Sequence, residues 1–251
     1  MSSSRVSAKK TRPVVTAVAA IVIAVLLPLL GSAPANAATG FPALGTHDIP
    51  GNTAKCALPE DYNLRNGSEC AVGRIEQFLQ SEYGSTTVRP SFRAVTQYAA
   101  GVVLDPRLPC GYIYGASVYC ATIDRVYVGL GQLPQITDGG TKVGIAAILS
   151  HELGHHLQTE PRAGGTYAYA GYAGTAFEDQ ADCASGAFFK YGVEQGWYTS
   201  ADVTYATSVY SRIGSPEGSG NAHSPGTVRA MLFEQGVAGG LQACGTPNAL
   251  I

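Results

Sequence analysis

Two histidines four residues apart, His151 and His155, enclose a glutamate in the run Ser150-His151-Glu152-Leu153-Gly154-His155-His156. On a helix, residues four apart share a face about one turn apart, so the two imidazoles can aim at one point. Neutral imidazoles at ~2.0–2.1 Å suit Zn²⁺, and Glu152 between them is placed to take a proton from a water held by such an ion. Further on, Phe177-Glu178-Asp179-Gln180-Ala181-Asp182-Cys183 puts Glu178 and Asp182 on one face of a second expected helix. A set of two histidines and a glutamate leaves one tetrahedral corner open, as catalytic sites do. The pattern therefore requires two helices close enough for three side chains to meet, and it points to a metal-dependent hydrolase.

The third ligand is expected to be Glu178, with Asp179, Asp182 and His223 as its rivals. Asp182, one turn beyond Glu178, is expected to accept the free N–H of a metal-bound imidazole, that of His151, and so to fix its tautomer. Asp179 points elsewhere and reads as solvated. His156 lies about 100° around the helix from His155 and reads as structural, because a fourth protein ligand would close the site. His223 has two readings: a donor to the oxyanion of a tetrahedral intermediate, or a neighbour of a helix cap without chemistry. Tyr167, Tyr169 and Tyr172 compete for the first role.

The N-terminal stretch carries Arg5, Lys9, Lys10 and Arg12, no acid before Asp48, an apolar run from Val14 to Leu30, and Ala35-Asn36-Ala37. These are the three parts of a secretory signal, cut after Ala37. A retained anchor is disfavoured: the apolar run is short of the ~20 residues a span needs, and Pro28 interrupts it. Residues 38–251 then suffice for one core. Loss of four basic residues moves the formal net charge from −2 to −6, leaving no basic stripe for nucleic acid. Six cysteines (Cys56, Cys70, Cys110, Cys120, Cys183 and Cys244) in an exported chain imply three disulfides. About fifteen connectivities are open. Sequence neighbours suggest Cys56–Cys70 and Cys110–Cys120, which leaves Cys183–Cys244.

Residues 38–69, rich in Gly and Pro, read as an irregular leader or short pro-segment before a metal-binding domain over 70–251. Apolar residues at helical spacing predict a helix from about Cys70 to Tyr83. A strand or helix is expected around Arg93–Val103, then strands over Tyr112–Val118 and Ile123–Gly129, and the strand just before the metal helix could offer its edge to an extended peptide. Thr141 opens the metal helix and Pro161 closes it. A glycine- and tyrosine-rich loop spans 163–175. Three more helices follow: Ala176–Gln195, one capped at Thr199 and running to Ile213, and one opened by Ser224-Pro225 and running to Gln235. Asn66-Gly67-Ser68 fits the N-glycosylation pattern.

Four blocks resemble the neutral zinc metallopeptidase family of bacteria. They are Pro109-Cys110-Gly111 leading to Val118-Tyr119-Cys120 and Asp124-Arg125-Val126-Tyr127; Ser150 to Gln158; Glu178 to Gly186; and Ala222-His223-Ser224-Pro225 with Arg229 and Phe233. Ala121 and Val118 depart from that family's proline and phenylalanine. The resemblance implies an α+β, zincin-like fold of the gluzincin type, with a small mixed sheet packed on the active-site helix and a glutamate from a second helix as third ligand. It also implies one zinc ion and Glu152 as general base. The expectation is a secreted, monomeric zinc endopeptidase acting on peptide or protein substrates, with no stable membrane association after signal cleavage. The rival reading is a non-catalytic, zinc-stabilised binding domain of the cell envelope.

Overall fold

The computed structural model describes residues 46–59, 63–84, 89–95, 103–104, 112–113, 116–160, 174–216 and 223–245. The expected signal sequence, Cys110 and most of the tyrosine-rich loop lie outside the described residues. The fold is α+β. Strands β1 (Thr46–Asp48), β2 (Ser91–Val95), β5 (Ser117–Cys120) and β6 (Arg125–Gly129) form a mixed sheet in the order β1-β2-β6-β5. β2 runs parallel to β6, and both outer strands are antiparallel to their neighbours. β3 (Val103–Leu104) and β4 (Tyr112–Ile113) make a separate two-stranded ribbon. Alternation divides the sheet's side chains between two faces. Phe92, Ala94, Val126 and Val128 enter the main core, whereas Val95, Cys120 and Tyr127 form a smaller cluster.

Six α-helices occur among the described residues: α1 (Leu64–Tyr83), α2 (Leu133–Ile136), α3 (Lys142–Thr159), α4 (Thr175–Glu194), α5 (Ser200–Arg212) and α6 (Gly226–Gly239). The apolar face of α1 (Val72, Ile75, Phe78 and Leu79) packs with Ile145, Leu149 and Leu153 of α3 and with Phe188 and Phe189 of α4 in the main core. α3 sits centrally, touching α1, α4, α5 and β5. Thr141 caps its start by accepting from Gly144 N, and its end at Thr159 precedes Pro161, which disfavours a helical residue before it.

Three local expectations need correction. α1 starts at Leu64, six residues before Cys70. Asn66 and Gly67 are poor helix formers, but the Asn63 side chain accepts from Asn66 N, and Leu64 is buried. The N-glycosylation pattern thus falls in a helical turn with Ser68 fully buried. The stretch 38–69, expected to be irregular, holds β1, a 3₁₀ turn over Thr53–Ala57 and the first turns of α1. Finally, α6 has Pro225 at its cap position, not in its first turn, and no side chain caps it. The Ser224 side chain acts instead on the Asp179 carboxyl, whose pKa it lowers.

Disulfides Cys56–Cys70 and Cys183–Cys244 tie the first 3₁₀ turn to α1 and the 3₁₀ turn at Leu241–Cys244 to α4. Cys120 is also disulfide-bonded. Such bonds belong to an oxidising compartment. Among the described residues, no helix is long and apolar enough to cross a membrane.

Candidate metal centre

The site exists because α3 and α4 approach unusually closely. A Cβ added at Gly154 would stand 2.5 Å from the Ala181 Cα, so only glycine lets these backbones meet there. On α3 that contact is flanked by His151 and His155; on α4 by Glu178 and Asp182. One turn before His151, the Ala147 carbonyl accepts from Tyr210 Oη at 2.7 Å and Ser185 Oγ at 3.3 Å, locking α3 to α5 and α4.

His151, His155 and Glu178 bring one ligand atom each to within 4.8 Å of the others, the one such group of three among the described residues. Glu178 Oε2 lies 3.1 Å from His151 Nε2 and 3.4 Å from His155 Nε2. Two bonds of ~2.0–2.1 Å meeting at a tetrahedral angle hold their donor atoms ~3.3 Å apart, so these separations fit a zinc-sized ion. The charge balance fits as well. Burial opposes a charged His151 ring, yet hydrogen bonds to Asp182 and Glu178 prevail and push its pKa up to about 10. His155 is raised for a like reason: burial opposes it and Glu178 outweighs burial. Burial alone would raise Glu178; hydrogen bonds from His151, His155 and His223 instead hold its carboxyl far below the usual range. A carboxylate so surrounded by ring nitrogens is a place where a divalent cation can replace protons.

The far side of each ring is also held, which decides the tautomer. His151 Nδ1 donates to Asp182 Oδ1 at 2.8 Å. Asp182 is fully buried and receives Arg229 Nε and Nη2, each at 2.7 Å. His155 Nδ1 donates to Gln158 Oε1 at 2.9 Å, and Gln158 Nε2 donates to the Phe177 carbonyl at 2.8 Å. With both Nδ1 atoms committed, both Nε2 lone pairs face the site, as ligation requires.

Glu152 is buried, and Ser117 Oγ of β5 donates to its Oε1 at 2.6 Å. His156 turns away from the site to the sheet side, where Nδ1 lies 2.8 Å from Asp124 Oδ1. His223 Nε2 lies 3.0 Å from Glu178 Oε2, with its side chain 41 % exposed. It therefore stands beside the expected third ligand, at the rim of the cluster. Asp179, expected to be solvated, is half-buried: burial raises its pKa, against a lowering hydrogen bond from Ser224. Cys183 faces Cys244, and Tyr167, Tyr169 and Tyr172 lie outside the described residues.

Three participants escape a reading of spacing: Ser117, and the roles of Gln158 and Arg229. Gln158 sits three residues after His155, a helical offset, and both Gln158 and Arg229 fall within the blocks that carry the family resemblance. The chain matches no protein-family model, no curated protein and no solved structure. Its resemblance to neutral zinc metallopeptidases stands on the four sequence blocks alone.

Proposed function

We propose that this protein is an exported, monomeric zinc endopeptidase acting on peptide or protein substrates. The observation that carries the reading is the convergence of His151, His155 and Glu178 with the buried Glu152 carboxylate between the two histidines on the same helix. A zinc ion held by His151, His155 and Glu178 would polarise the scissile carbonyl and lower the pKa of a water to ~7. Ser117 occupies Oε1 of Glu152, which leaves the other oxygen to accept the proton of the attacking water. The water oxygen bonds to the carbonyl carbon, the C–N bond breaks, and Glu152 returns the proton to the departing amine. His223, at the exposed rim, is assigned to the oxyanion. The last strand before the metal helix, β6, is paired on both sides and offers no edge, whereas β5 lies at the end of the sheet order, which supports its use as the edge on which an extended substrate lies.

One observation favours the rival reading of a zinc-stabilised envelope domain. His223 stands close enough to Glu178 that a small shift would offer a fourth nitrogen and close the site. Casein cleavage by wild type and Glu152→Gln, each with and without a chelator, separates the readings. The expected result is activity in untreated wild type only. Cleavage that survives both treatments excludes the mechanism, and bound zinc without any turnover favours the rival.

A further inference from the structure

Three acids of α4 are each met by a side chain from residues 223–229, which run from the segment before α6 into its first turn. His223 Nε2 lies 3.0 Å from Glu178, Ser224 hydrogen-bonds Asp179, and Arg229 forks onto both oxygens of Asp182. The last pair is the buried one: Arg229 is 3 % exposed and Asp182 0 %. Taking two charges out of water is costly, and apolar residues of similar volume often serve stability as well. A contribution to stability therefore does not account for this pair. Its connection does. Asp182 Oδ1 receives Arg229 Nη2 at 2.7 Å and His151 Nδ1 at 2.8 Å.

We propose that Arg229 is a positioning residue of the metal centre, acting through Asp182 on His151. The inference rests on the reading that His151, His155 and Glu178 hold a divalent ion. The planar guanidinium sets the plane of the Asp182 carboxylate, because two parallel N–H donors meet two oxygens. With that plane set, Oδ1 faces His151 Nδ1, and the ring is kept in the tautomer that turns the Nε2 lone pair toward the ion. Lysine supplies the charge without the fork. α6 thus governs metal affinity although it contributes no ligand.

The test is zinc affinity of the full chain, measured by competition with a chromophoric chelator well below the melting temperature. Far-UV circular dichroism and Co²⁺ absorption are recorded on the same samples. Outer partners of a metal ligand are worth roughly 10- to 100-fold in affinity. Arg229→Lys is expected to lose about 10-fold and Arg229→Met about 100-fold, with an altered Co²⁺ spectrum. Arg229→Met combined with Asp182→Asn should bind no more weakly than Asp182→Asn alone, since the arginine acts through the aspartate. Wild-type affinity in Arg229→Lys and Arg229→Met, with only the melting temperature lowered, would overturn the proposal. Additive losses in the double variant would do the same. A wild-type chain that takes up no zinc would instead overturn the reading of the site on which the inference rests.

Discussion

His151 and His156 stand on the same helix, and each brings Nδ1 to 2.8 Å from an aspartate oxygen. The two pairs nevertheless belong to different regions. Asp182, the partner of His151, comes from α4, is fully buried and is clamped by Arg229. Asp124, the partner of His156, comes from the turn before β6, has a side chain 31 % exposed, and also receives the Tyr119 hydroxyl at 2.8 Å. Asp124 adopts a left-handed backbone at φ 48°, which Asn and Asp tolerate better than most residues. A histidine–carboxylate pair is thus a general tertiary tie. It becomes half of a candidate metal site only where Nε2 meets further donor atoms, as His151 meets Glu178 and His155. The two ties also hold α3 from opposite sides, one to the helices and one to the sheet.

Removing each histidine separates the two roles most sharply. His151→Ala should weaken zinc binding by well over the roughly 100-fold that loss of an outer partner costs, because a ligand itself is gone. His156→Ala should leave zinc affinity near wild type but cost about 2 kcal/mol of stability, since Asp124 loses a hydrogen-bond donor and Tyr119 an edge-on ring contact. Chelator competition and urea unfolding on both variants measure the two quantities. A large zinc defect in His156→Ala would erase the distinction between the regions.

A smaller effect is expected where the sheet reaches the site. Ser117→Ala removes the donor to Glu152 Oε1 and leaves every proposed ligand in place. Zinc content should be unchanged, while kcat for a peptide substrate falls about 10-fold, in line with a hydrogen bond to a charged group worth about 1.5 kcal/mol. Unchanged kcat would mean that β5 touches the centre without contributing to it.

The same contrast explains what was legible in the sequence. His151, Glu152, His155, Glu178 and Asp182 all obey a helical period, so their faces could be assigned before any fold was known. Ser117 and Asp124 sit in or beside strands that reach α3 only once the sheet packs on it, and no local period announces that. Arg229 lies 47 residues from Asp182, joined by the way α6 crosses α4. That crossing depends on Gly186 and Gly236: a Cβ at either would fall 1.9 Å from a carbonyl oxygen of the opposite helix. Helix starts depart from the spacing where capping outweighs propensity, as at Asn63, and where Pro225 takes the cap position of α6.

The gentlest probe is acid. Burial tends to raise the Asp124 pKa, but hydrogen bonds and charge from His156, with the Tyr119 hydroxyl, hold it below the ordinary carboxylate value. A carboxyl depressed in the folded state stabilises above its unfolded pKa of about 3.9, and that stabilisation is lost as pH falls through the lower folded value. Asp124→Asn cannot ionise and so lacks this contribution at every pH. The stability gap between wild type and Asp124→Asn should therefore be about 1.5 kcal/mol near neutral pH and should close progressively below about pH 4. Urea unfolding at a series of pH values reads the gap, with zinc affinity expected to be the same in both proteins at neutral pH. A gap that stays constant into acid would show that Asp124 acts through its turn geometry and not its charge, leaving the sheet-side tie without its electrostatic half.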